Sequence, residues 1–219
     1  MKLDILRRGE LDYNEALSLQ EKTVSLRQEG VIPDTLILLE HPPVITLGRR
    51  GDGKNILLGR EELDAKGVRV YEVNRGGDVT YHGPGQIVGY PVMDLGETGL
   101  DIREYVSALE EVFIRLLERE FGIKASRGEK KYTGVWVGRD KITAIGIAVR
   151  NRVTMHGFAF NVNTDLSHFG WINPCGLSDR GVTSLKKIRG AETDIESAYA
   201  LVIKYFIEVF EEKFGEKGR

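Results

Sequence analysis

The apolar residues change period partway along the chain, and that change is the strongest constraint on the fold. Asp101 to Phe121 places Val106, Leu109, Val112, Phe113, Leu116 and Leu117 on one helical face, and Gly122 follows as a stop. Thr193 to Phe214 repeats the pattern with Ala198, Leu201, Val202, Tyr205, Phe206, Val209 and Phe210. Between these helices, Gly134 to Val137, Lys141 to Arg150 and Val153 to Val162 read as strands, with Asn151 at a hairpin turn. Long amphipathic helices on either side of a run of strands point to neither an all-α nor an all-β chain.

The first half mixes the same ingredients. Asp12 to Glu29 predicts a helix, capped by Asp12 or Asn14 and stopped by Gly30. Thr35 to Leu39, Val44 to Leu47, Val68 to Val73 and Ile87 to Val92 predict strands. Glu61 to Lys66 predicts a short helix, Gly51 to Gly53 a turn, and Asn163 to Ser184 a loop. The expected fold class is α+β: a single domain over residues 1–219, its mixed or mainly antiparallel sheet flanked by helices on its outer side. A chain of 219 residues buries enough core to need neither disulfide nor metal.

Charge and composition narrow the function classes. The net charge of −2 gives no bulk drive toward nucleic acid. Local basic clusters, Arg7-Arg8, Arg49-Arg50 and the stretch from Arg180 to Arg189, read as solvated surface or as docking points for an acidic partner. The start, MKLDILRRGELDY, lacks the apolar core of a signal peptide, and no apolar run approaches the ~18 residues of a membrane span. The lone cysteine, Cys175, fits a reducing cytoplasmic setting. Scattered histidines and the absence of HExxH leave no metal site to expect.

The stretch Arg75 to Gln86, RGGDVTYHGPGQ, carries four glycines and a proline. Glycine lets backbone approach a ligand closely, and its N–H groups can form an anion nest. It is neither GxxxxGK[ST] nor GxGxxG opening a helix, so no nucleotide cofactor is implied. An elaborate turn is one reading; Arg75, Tyr81 and His82 favour a pocket wall. Cys175 sits between Pro174 and Gly176 in a polar loop, unlike the small buried hydrophobe a lone cysteine usually is. A nucleophilic thiol needs a base or a cation beside it. One arrangement is Cys175 with His156 or His82 and Asp165 or Asp179. The other is Lys141, 34 residues away, either snorkelling to solvent or turned into a pocket against the thiol. Ala144 and Gly146, and likewise Gly157 and Ala159, fall on one face of their strands and leave either ordinary sheet packing or room for a chain-like ligand.

Five segments together are similar to the lipoyl(octanoyl) transferases, the octanoyl-[acyl carrier protein]:protein N-octanoyltransferases of lipoate biosynthesis. They are LLEHPPVITLGR (Leu38 to Arg49), RGGDVTYHGPGQIVGYPVMDL (Arg75 to Leu95), KITAIGIAV (Lys141 to Val149), HGFAFNV (His156 to Val162) and NPCGL (Asn173 to Leu177). Asp78 stands where the family often carries Gln. The resemblance implies a fold shared with biotin- and lipoate-protein ligases, and an acyl-thioester on Cys175 tuned by Lys141. It also implies a substrate pocket walled by Arg75, Gly76, Gly77, Asp78, Val79, Thr80, Tyr81 and His82, by Ala144, Ile145 and Gly146, and by Gly157, Phe158 and Ala159. The implied donor is octanoyl-acyl carrier protein. The implied acceptors are lipoyl domains of 2-oxoacid dehydrogenase subunits and the glycine cleavage H protein, with no cofactor.

Overall fold

The computed structural model describes residues 2–128, 132–173 and 180–217. In chain order its elements are β1 (Leu3–Glu10), α1 (Tyr13–Gln28), β2 (Asp34–Glu40), β3 (Val44–Leu47), α2 (Arg60–Ala65), β4 (Arg69–Glu72), β5 (Val79–His82), β6 (Gln86–Val92) and α3 (Leu95–Thr98). There follow α4 (Ile102–Phe121), β7 (Ser126–Arg127), β8 (Gly134–Val137), β9 (Asp140–Arg150), β10 (Val153–Asn161), a 3-10 turn over Leu166–Trp171, β11 (Gly181–Val182), α5 (Leu185–Arg189) and α6 (Ile195–Lys217).

Local chemistry sets the ends of these elements. Asp12 accepts from the Asn14 N–H and caps α1. Asp101 and Glu104 form a capping box at the start of α4, and Gly122 closes it in the left-handed conformation. Asn151 and Arg152, at φ 47° and 70°, make the two-residue turn between β9 and β10.

The large sheet runs β1-β2-β6-β10-β9-β8-β7, with β11 added beside the start of β9. It is mixed: β1 and β2 are parallel, as are β11 and β9, and the remaining pairs are antiparallel. A small sheet, β4-β3-β5, stands apart.

Side-chain alternation divides the large sheet into two faces. Leu36, Leu38, Ile87, Phe158 and Phe160 pack against α4 and α6 around Phe113, Leu117 and Phe206. Ile37, Leu39, Val88, Tyr90 and Ala159 cluster on the other face with Ala16 and Val24 of α1. Helices therefore cover both faces, where the sequence suggests one outer side. A third cluster, with Ile45, Leu63, Val79, Tyr81 and Ile172, lies at the small sheet.

Three segments differ from the sequence expectation. Leu3–Glu10 is an edge strand that the sequence does not announce, because its mostly exposed residues carry little alternation. Val79–His82 is a strand inside the glycine-rich stretch, held by pairing with β3. The loop from Asn163 to Ser184 contains the 3-10 turn and β11.

Candidate active site

Residues on β9, β10 and β6 floor a slot of about 330 Å³, and the glycine-rich stretch lines it from the other side. Ala144 of β9 pairs with Ala159 of β10, and Ala159 pairs in turn with Val88 of β6. Three strands thus lay small or branched apolar side chains side by side. One step along the sheet, Gly146 pairs with Gly157.

These two glycines serve contacts within the protein more than they leave free space. A Cβ on Gly146 would stand 2.8 Å from the Gly76 carbonyl oxygen and 3.3 Å from Arg75 Cδ. A Cβ on Gly157 would collide with the Gly89 carbonyl. Gly146 lets the glycine-rich stretch settle onto the sheet, where the Gly76 N–H donates to the Ile147 carbonyl at 2.8 Å.

Arg75 is the fastener of that stretch. Its Nε donates to Thr46 Oγ1 at 3.1 Å, and Nη2 donates to the Thr46 carbonyl at 2.6 Å. The guanidinium is buried, so its charge acts on the slot wall. Asp78 accepts from Asn55 Nδ2 at 2.6 Å, and the Asn55 carbonyl accepts from the Asn173 N–H at 2.8 Å. The carboxylate at this position therefore ties the glycine-rich stretch to the segment that leads toward Cys175.

Gly76, Gly77, Asp78, Val79, Thr80, His82, Ala144, Ile145, Gly146, Gly157, Phe158, Ala159, Arg75 and Lys141 all line the slot. Tyr81 does not. On a strand, neighbours point to opposite faces. His82 faces the slot, while Tyr81 is buried in the cluster at the small sheet, its hydroxyl 2.7 Å from His168 Nδ1. Its ring fills the space where a side chain at Gly83 would go.

Lys141 sits near the start of β9, paired with Trp136 of β8 on one side and Val182 of β11 on the other. Its Nζ donates to the Thr133 carbonyl at 3.1 Å and lies 4.9 Å from the centre of the Trp136 ring. It is turned into a polar, aromatic corner of the slot and not out to solvent. Behind it, the Glu110 carboxylate accepts from the Gly134 N–H at 3.0 Å. Burial raises the Glu110 pKa, and the charges of Arg127 and Lys141 oppose that rise.

Cys175 and Asp179 lie outside the described residues. Asn173 bonds Asn55, whose side chain reaches Asp78 of the slot wall, and Val182 lines the slot and pairs with Lys141. Neither histidine considered for a Cys–His–Asp arrangement has a carboxylate partner among the described residues. His82 Nδ1 bonds to Gln86 Oε1, and the His156 ring nitrogens have no hydrogen-bond partner among the described residues. Asp165 instead caps the 3-10 turn beside His168.

Two buried histidines of the slot, His82 and His156, gather with Tyr13, Tyr90 and a third buried histidine behind them, His41. Burial holds His41 and His156 down at about 4 and His82 at about 3, and nearby charge or cationic imidazole adds to the effect on His82 and His156. His156 also takes φ 55°, an uncommon backbone for a non-glycine residue, with its N–H bonded to Gln20 Oε1.

Residues 12–207 match the family model of the lipoyl protein ligase A/B catalytic domain. The chain belongs to that family. It is 59% identical to the octanoyltransferase of Caldicellulosiruptor saccharolyticus, over 98% of this chain and 91% of that one. It is 49% identical to the octanoyltransferase of Alkaliphilus metalliredigens, over 96% of each. Among solved structures it resembles P. falciparum LipL1 in complex with lipoate (TM-score 0.76, 16% identity, 96% of this chain and 63% of that longer one). It also resembles a lipoate-protein ligase A bound with ATP (0.73, 18%, 96% and 86%) and the biotin protein ligase of Aquifex aeolicus (0.56, 14%, 97% and 70%). At such identities these structures show a shared fold, the one the sequence motifs imply.

Several residues of this A/B-family slot escape motif reading. Tyr13 arrives from α1 and Tyr132 and Thr133 from the segment before β8, while Gln86 and Asn161, at the ends of β6 and β10, lie inside the quoted motifs without a role assigned to them. Polar residues inside otherwise apolar strands were the available signal for Gln86 and Asn161.

Proposed function

We propose that the chain, acting as one catalytic unit over residues 1–219, transfers an octanoyl group from an acyl carrier protein to a lysine ε-amine of a lipoyl domain. Cys175 carries the acyl group between the two. The observation that carries this reading is the slot: an apolar floor of Val88, Ala144 and Ala159, closed over by glycine-rich backbone, with a lysine at one polar corner. The full-length similarity to octanoyltransferases supports it.

In the first step the Cys175 thiolate attacks the octanoyl thioester. The carrier's C–S bond breaks, and the carrier sulfur leaves with a proton from Lys141. In the second step the lysine amine attacks the acyl-enzyme, its proton passes to the now neutral Lys141, and Cys175 departs as thiolate. Each step returns what the other removes, and the thioester-to-amide exchange runs downhill without nucleotide. Buried methylenes anchor the chain by about 0.8 kcal/mol each.

The test is intact-mass measurement after mixing with octanoyl-acyl carrier protein. A thioester adduct on the wild type that is absent from Cys175→Ala is expected; an unmodified wild-type mass during turnover would sink the reading. The ligase-like fold motivates one rival, ATP-dependent acylation of the acceptor. Labelling that requires ATP and proceeds in Cys175→Ala would favour it.

A further inference from the structure

A row of side chains crosses the slot at the level of Lys141. Thr183 N–H donates to the Lys141 carbonyl at 3.0 Å. Asn161 Nδ2 donates to the Thr183 carbonyl at 3.0 Å. Gln86, opposite Asn161 in the sheet register, donates from Nε2 to Asn161 Oδ1 at 2.9 Å, and Gln86 Oε1 meets His82 Nδ1 at 2.8 Å. Gln86 and Asn161 are both almost fully buried.

The direction of this row is fixed by chemistry. The Thr183 carbonyl can only accept, so Asn161 must turn its NH2 toward it. That leaves Asn161 Oδ1 facing Gln86, which must answer with its own NH2. The same Nε2 also lies 3.3 Å from the Tyr81 carbonyl, a second acceptor that demands the same orientation. Gln86 Oε1 therefore faces His82, and His82 Nδ1 must carry the proton. A neutral imidazole has only one, so Nε2 is a bare lone pair. It makes no hydrogen bond to any described residue, and the ring lines the slot.

We propose that Gln86 and Asn161 are positioning residues that hold His82 as a hydrogen-bond acceptor, and that its Nε2 receives an N–H of the incoming lysine amine. The inference rests on the transfer reading above. An acceptor cannot stabilise an oxyanion, which needs donors. The octanoyl chain and its thioester bring no donor, whereas the attacking amine does. Held by one N–H, the amine turns its lone pair to the acyl carbon. The titratable and charged neighbours that face His82 are His41, Arg75, Tyr13 and His156, all of which resist a positive charge there or carry none.

Two measurements test this. Imidazole 1H–15N correlations of the wild type at pH 7, with His82 assigned by its loss in His82→Gln, should show the Nδ1–H tautomer; an Nε2–H tautomer or a cation overturns the relay. The second uses Gln86→Glu, which sets a carboxylate against Nδ1–H and favours the cation. Single-turnover aminolysis of the octanoyl-enzyme should then slow about tenfold below a new acid-side inflection and recover as pH rises. Acyl-enzyme formation should change less than about threefold, since no amine attacks in that step. Equal slowing of both half-reactions, or an aminolysis profile with no new inflection, overturns the assignment. So does slowing confined to acyl-enzyme formation, which would give Nε2 to an amide of the carrier's arm instead. If no octanoyl-enzyme formed on the wild type, the transfer reading would fall with the amine's role, and the tautomer would still decide the relay.

Discussion

The two faces of the large sheet are built from the same strands and do opposite work. On β10, Phe158 and Phe160 belong to the cluster under α4 and α6, with Phe158 also touching the slot, while Ala159 and Asn161 turn the other way and line it. Phe113 packs its ring 4.8 Å from that of Phe158 and 5.1 Å from that of Phe160, and none of the three exposes more than a trace of surface. On the slot side the apolar cluster is joined by buried polar and strained groups: a guanidinium, three neutral histidines and a non-glycine residue at positive φ. The face under α4 and α6 is uninterrupted apolar burial, while the slot side offsets part of its own burial with strained and polar groups, as expected where an active site departs from good packing.

The sharpest way to break that contrast is to change one face and read the other. Lys141→Ala is expected to lower octanoyl transfer by roughly 10²- to 10⁴-fold, the range for loss of an acid–base group, with little change in the unfolding midpoint. Unchanged single-turnover rates would remove Lys141 from the chemistry. Phe113→Ala is expected to cost about 3–5 kcal/mol in denaturant unfolding and to leave the rate per folded molecule near wild type. A loss of rate as large as the loss of stability would show that the faces are coupled.

Acid should separate them next. His82 and His156 line the slot and His41 packs behind them, and all three have folded pKa values of about 3 to 4, against about 6.5 when unfolded. Above pH 6.5 both states leave them neutral. As pH falls toward 4 the unfolded chain takes up protons that the fold refuses, so stability drops by up to about 1.4 kcal/mol per pH unit for each histidine. Below the folded pKa values the loss levels off. Thermal unfolding followed from pH 7 to pH 4.5 checks this; a flat midpoint would mean that these rings are solvated or paired.

The contrast between faces also explains what the sequence made legible. The helical face could be read directly, since Val112, Phe113, Leu116 and Leu117 repeat at helical spacing and the cap and stop residues stand where α4 begins and ends. The slot was legible as motifs, because glycine, histidine and cysteine in a fixed order mark the family. Its geometry was not. The placement of Tyr81 in the small-sheet core depends on β5 being a strand, and β5 exists only through its pairing with β3, far away in sequence. The row from His82 to Lys141 joins four strands, and no local pattern announces a hydrogen bond between Gln86 and Asn161, 75 residues apart.

The smallest expected effect probes the slot's length. Ala159 pairs with Ala144, and both line the slot, while Ala159 also belongs to the packed cluster under α1. Ala159→Val should therefore cost no more than the about 1–3 kcal/mol of overpacking and still fold. Its specific effect should fall on the substrate. Two extra methyl groups shorten the space for the chain, and discrimination per methylene in an apolar pocket is about 10- to 200-fold. The ratio of kcat/KM for octanoyl over hexanoyl donor should drop by about tenfold. An unchanged ratio with a lowered rate for both would mean that the chain does not run over Ala159, and would move the acyl site off this floor.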